Sequence, residues 1–126
     1  MARNVHRLLH SFCVQPPRRA ASASWQPAAD VYQLADGWLI KFELAGVQTG
    51  DIELTLSPHG LTISGMRRDV HVQSVGRVHA MEISYNRFER TIELPGELEH
   101  MQIATEYRDG MLLVRLIDHG NQGAPS

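Results

Sequence analysis

The chain has 126 residues, enough for one domain with a sizeable core and too few for two. Apolar residues make up 43% and charged residues 21%, as in ordinary globular proteins, and no run approaches the roughly 20 apolar residues that a membrane-spanning helix needs. Cys13 is the single cysteine, which excludes an intrachain disulfide and a thiolate cluster and makes a reducing compartment, the cytoplasm, the expected setting.

Charge is unevenly placed. Residues 1–24 carry Arg3, Arg7, Arg18 and Arg19 and no acid, giving +4, while the remainder carries a net −6. The basic side chains are eleven arginines and Lys41; Arg18-Arg19 and Arg67-Arg68 are isolated pairs that read as solvated, so the body is a poor fit to a phosphate backbone. Within the leading segment, Val5, Leu8, Leu9 and Phe12 recur at helical spacing with Arg3, His6, Arg7 and His10 between them. This predicts a short amphipathic helix stopped by Pro16-Pro17, followed by the connector RRAASAS. So short a helix needs something to pack against. The leading reading is an arm that docks on a partner. A mitochondrial transit peptide, also amphipathic, Arg-bearing and free of acids, and a disordered terminus are the alternatives.

From Trp25 the period becomes two. A short strand at 31–34 closes on the turn pair Asp36-Gly37. Trp38, Ile40, Phe42 and Leu44 then alternate with Leu39, Lys41 and Glu43, and Ile52, Leu54 and Leu56 alternate with Glu53, Thr55 and Ser57. Ser57-Pro58-His59-Gly60 turns the chain, and Leu61 and Ile63 begin the return strand. The stretch SYNRFERTIELP, residues 84–95, sets Phe88, Ile92 and Leu94 on one face and Glu89, Thr91 and Glu93 on the other, with Asn86 placed where a bend would suit it. Arg90 falls on the apolar face, where a guanidinium requires a carboxylate or carbonyl to meet it. Residues 103–107, the turn Asp109-Gly110 and residues 111–117 make a last hairpin. The pattern predicts an all-β, immunoglobulin-like antiparallel sandwich over residues 25–117, with an arm at 1–24 and a short tail at 118–126.

Residues 67–81 do not match the rest. Val70 and Val72 alternate with Asp69, His71 and Gln73 before a break at Gly76, too polar a strand for the middle of a sheet. Such an excursion either caps an edge or reaches another chain. Chemistry is sparse. His6 with His10, and His71 with His79, form pairs but lack a third ligand, which predicts no metal site. There is no Gly-x-Ser-x-Gly elbow, Cys13 has no scaffold beside it, and Glu93, Glu97 and Glu99 are spaced as solvent-facing acids. Lys41 is not in a Gly-Lys-Ser/Thr loop, so no ATP cradle is expected. No enzyme, catalytic residue or cofactor is expected.

Trp25-Gln26-Pro27 with Asp30-Val31-Tyr32, then LIKFELAGV, LTISG, VHAMEISYNRFERTIELP and YRDGMLLVRL follow one another over about residues 25–117. In this order they resemble the α-crystallin domain of the small heat-shock proteins. The resemblance implies a β-sandwich that assembles through dimers and holds unfolding proteins soluble without ATP. It implies a dimer interface that includes Arg90, with the excursion donating an edge strand to a partner subunit. Val70 and Val72 would lie beside Val31 and Tyr32 of the other chain, and Asp69 and Glu82 are the candidate acids for Arg90. Val5, Leu8, Leu9 and Phe12 of the arm, with the outward Leu39 and Leu113, are the candidate client-binding residues. Leu54, Leu56, Ile103 and Thr105 would line a groove that receives the Ile-x-Ile or Ile-x-Val tail of a neighbouring dimer.

The chain departs from that pattern at both ends. Its arm is short, and after Ile117 the sequence DHGNQGAPS contains neither a Pro-Lys nor the tail tripeptide. The expected protein is therefore a stress-related holdase for unfolding clients, a homodimer or small homo- or hetero-oligomer, without nucleic-acid, membrane or ATP binding. Two alternatives stand beside it: a structural modulator that co-assembles with other small heat-shock subunits, and a co-chaperone adaptor similar to the CS-domain family.

Overall fold

The computed structural model describes residues 3–7, 24–69 and 76–118. The alternating apolar residues form strands β1 (Arg3–Arg7), β2 (Ala29–Leu34), β3 (Gly37–Glu43), β4 (Ile52–Ser57), β5 (Gly60–Arg67), β6 (Asn86–Glu93), β7 (Gln102–Arg108) and β8 (Met111–Ile117). They make two antiparallel sheets, ordered β1-β4-β5-β6 and β2-β3-β8-β7, and so build the antiparallel β-sandwich that the sequence pattern anticipates. A 3-10 turn, Thr49–Asp51, leads into β4.

The period of two decides which side chains meet between the sheets. Ile40 and Phe42 of β3 and Leu112, Val114 and Leu116 of β8 face Leu54 and Leu56 of β4, Leu61 and Ile63 of β5 and Phe88 of β6, all essentially without solvent contact. Burying each such side chain contributes roughly 1.5–3 kcal/mol. Turn chemistry fixes the registers. Asp109 and Gly110 both take positive φ, +52° and +78°, as a two-residue I′ hairpin between β7 and β8 demands. Gly37 opens β3 where a Cβ would overlap the carbonyl oxygen of Leu116, so only glycine lets β3 and β8 approach. Asn86 bends the chain into β6 at φ +72°.

Two expectations are corrected. Residues 3–7, Val5 among them, are extended and not helical: β1 pairs antiparallel with β4, with Arg3 opposite Leu56, His6 opposite Leu54 and Arg7 opposite Glu53. A few residues cannot sustain a helix alone, whereas a free sheet edge offers a ready row of backbone donors and acceptors. Leu8, Leu9 and Phe12 lie outside the described residues. The second correction concerns the groove. Leu54 and Leu56 are fully buried against the opposite sheet, and β1 covers the edge of β4, so neither leucine lines an open channel. Ile103 and Thr105 are half-buried on β7, at the edge of the other sheet.

Candidate interaction site

The sandwich is closed on one sheet and open on the other. In the first sheet, β1 covers the edge of β4, and Trp25 covers the other edge by bridging in parallel to Phe88. The Trp25 amide donates to the Arg87 carbonyl at 3.2 Å, and the Glu89 amide donates to the Trp25 carbonyl at 3.0 Å. In the second sheet, no described strand pairs with the outer edge of β2. Every side chain of β2 between Ala29 and Leu34 is exposed. Val31 stands opposite the buried Ile40 yet remains 43% exposed on this edge strand; Tyr32 is equally exposed. An edge of this kind is a template for another strand.

Arg90 lies between Phe88 and Ile92 on the inner face of β6 and is half-buried, the position its sequence pattern indicates. Its Nη1 donates to the Pro27 carbonyl oxygen at 2.8 Å. A buried proline carbonyl of its own chain therefore meets the guanidinium, ahead of any acid. Asp69 and Glu82, the candidate acids, are both exposed, and neither forms a described ion pair with Arg90. Val70 and Val72 lie outside the described residues.

Between β5 and β6 the excursion runs past Met81 to residue 85, and its described returning part, residues 76–85, holds what sequence reasoning missed. Val78, Met81 and Ile83 are 57%, 68% and 64% exposed, more than Val31 or Tyr32. They follow neither a two- nor a 3.6-residue period, so no pattern marked them; three apolar residues in a polar connector were the available signal. Leu39 and Leu113, the expected client contacts on the sandwich, are only half-buried and sit among charged neighbours: Leu39 is opposite Arg115, and Leu113 is opposite Lys41 and Glu106. Lys41 itself lies 3.8 Å from Asp30 and 5.7 Å from the centroid of the Tyr32 ring.

Arg67 and Arg68 hold the base of the excursion. Arg67 Nε donates to the Ala45 carbonyl at 3.1 Å and Nη1 to the Ser84 carbonyl at 2.9 Å, with the guanidinium 4.4 Å from the Trp25 ring centroid. Arg68 makes a forked pair with the Asp51 carboxylate, both bonds at 2.9 Å. That hydrogen bonding, reinforced by the charge of Asp51, raises the Arg68 pKa above the ordinary arginine value. Among the described residues, no group of three or more His, Cys, Asp or Glu is gathered as a metal set, and no helix is long and apolar enough to cross a membrane. A cleft of about 280 Å³ beside the β2–β3 turn, lined by Gln33, Asp36, Trp38, Met101 and Asp118 among others, offers no nucleophile and base together.

The profile of the Hsp20/alpha crystallin family matches residues 30–124. The chain is 27% identical over 90 residues to "Small heat shock protein C2" of Rickettsia felis and 28% identical over 98 residues to "Spore protein SP21" of Stigmatella aurantiaca. These alignments cover 71% and 78% of this chain and 58% of each relative, so the chain spans under two thirds of their length. Among solved structures, it is similar to heat shock protein 16.0 from Schizosaccharomyces pombe, with a TM-score of 0.66 and 27% identity over 75% of this chain and 88% of that one.

Proposed function

The chain belongs to the Hsp20/alpha crystallin family, and from that premise we propose that it is an ATP-independent holdase, which binds apolar segments of unfolding proteins under stress and keeps them from aggregating. One observation carries the reading. In a sandwich whose core is sealed, Val31, Tyr32, Val78, Met81 and Ile83 remain strongly exposed, all on β2 or the excursion. Each gains roughly 25 cal/mol per Å² of apolar surface covered, so these segments favour any occupant that covers them.

Two occupants fit. In the resting state it is a second copy: the edge of β2, with Val31 and Tyr32, receives the partner's excursion, in which Val70 and Val72 form the exchanged strand between the flanking acids Asp69 and Glu82. Arg90 serves this interface indirectly, by fixing Pro27 at the approach to β2. When subunits separate, Met81 and Ile83 are free for client segments, and the arm residues Val5, Leu8, Leu9 and Phe12 add further grip. Assembly thus gates client access, and warming raises activity. The setting is cytoplasmic, and no ATP is consumed.

Light scattering of a heat-aggregating client enzyme, with the protein titrated in and ATP omitted, tests this directly. Suppression near one subunit per client, rising with temperature, is the expected result. Absence of suppression, with shrinkage of oligomers of another small heat-shock protein on mixing, would replace the holdase with the modulator.

A further inference from the structure

Arg67 ends β5 and stands opposite Asn86, the first residue of β6, so residues 68–85 leave and return at this pair. Its side chain, at the point of departure, grips the chain at the point of return by donating to the Ser84 carbonyl. The same guanidinium reaches the Ala45 carbonyl between β3 and β4 and stacks over Trp25, ahead of β2. Trp25 is itself held: its indole N–H donates to the Asn86 carbonyl at 3.3 Å, and its ring lies 5.2 Å from that of Phe88. Three separate segments are therefore fastened to the root of the excursion by one planar group with several fixed donors. Arg68, the next residue, fastens the outgoing strand to Asp51.

We propose that Arg67 is a positioning residue for subunit exchange. It closes the base of residues 68–85 and fixes the direction in which Val78, Met81 and Ile83 are presented to a second copy of this chain. The inference rests on the exchange reading above and adds to it a residue whose described contacts lie within its own chain. A loop with an open base samples many directions and must be ordered on pairing, whereas a clamped base meets that cost during folding. Arginine suits the role because its fork can bond two carbonyls while its face lies on an indole; the compact ammonium of lysine provides the charge without that geometry.

Sedimentation of the full chain over a range of concentrations, with thermal unfolding measured alongside, tests the clamp through Arg67→Lys and Arg67→Ala. Both substitutions are expected to raise the dimer Kd by about tenfold or more, with the unfolding midpoint close to that of the unaltered chain. A Kd within about twofold of the unaltered value in both variants overturns the proposal. So does full recovery of association by lysine, which would reduce the clamp to a point charge, or a weakened dimer in which folding is lost in parallel. An unaltered chain that stays monomeric at every concentration removes the exchange reading itself, before any variant is compared, and the clamp's role with it.

Discussion

The Arg90 guanidinium and the Pro27 carbonyl oxygen, 2.8 Å apart, tie the two sheets together at the approach to β2. Arg90 projects from the inner face of β6, and Pro27 is buried just before the other sheet begins. The next residue is fixed as well, since the Ala28 carbonyl accepts the Glu43 amide at 3.0 Å. A cation on an apolar face thus meets a neutral acceptor of its own chain. Each group answers the desolvation of the other.

Arg90→Ala leaves the Pro27 carbonyl without this donor and is expected to lower stability by about 1.5–3 kcal/mol, the usual range for a hydrogen bond to a charged group. Urea unfolding reads the loss. Because the same bond fixes the approach to β2, the dimer Kd should rise with it. Unaltered stability would mean that water replaces the guanidinium at little cost.

Gly65→Ala is expected to destabilise the sandwich by roughly 1–3 kcal/mol through overpacking. A Cβ there would overlap the Asp51 carbonyl oxygen and lie 2.7 Å from Cζ of Phe88, so β5 could not keep its place beside both. Gly76→Ala is the control, since a Cβ at that position meets nothing within 4 Å. Equal denaturation midpoints for the two variants would contradict this close packing.

The strands were legible because each has one wet and one dry face; β4 and β8 begin and end where the alternation does. Arg90 was legible for the same reason, as the one charge out of phase. The arm was misread because a short apolar run fits more than one period, and the outcome depended on a distant partner, the edge of β4. Arg67-Arg68 looked like a solvated pair because nothing local distinguishes it. Arg67's acceptors lie at Ala45 and Ser84, and those contacts appear only once the strands are paired.

Removing residues 1–9 strips β1 from β4 and exposes one row of β4 backbone groups. Hydrogen exchange is expected to quicken in β4, with β3 and β8 in the opposite sheet unchanged. A bare edge also pairs with other chains, so self-association of the truncated protein should increase. Unchanged exchange in β4 would show that β1 gives it no protection in solution.

The Arg68–Asp51 pair should leave no mark on stability against pH in the ordinary range. Its bond raises the Arg68 pKa, so any stabilisation is fully present below the ordinary arginine value and is lost only on rising through the elevated one. Arg68→Gln is therefore expected to leave the pH profile parallel to the unaltered one between about pH 6 and pH 9. Divergence of the two profiles within that window would require a second titrating group at the base of the excursion.

Met81→Ser with Ile83→Ser separates grip from fold. Both side chains are more than half exposed, outside any strand, and absent from the buried core, so their replacement should change stability by no more than about 0.5 kcal/mol. What the double variant loses is apolar surface that a partner or client would cover. Client suppression is expected to fall several-fold at equal subunit concentration while the thermal midpoint holds. If both segments of the excursion serve the same interface, the dimer Kd should rise as well. Full suppression by a well-folded double variant would move the grip to residues 1–24, and the same assay on a chain lacking the arm would then decide between the two surfaces.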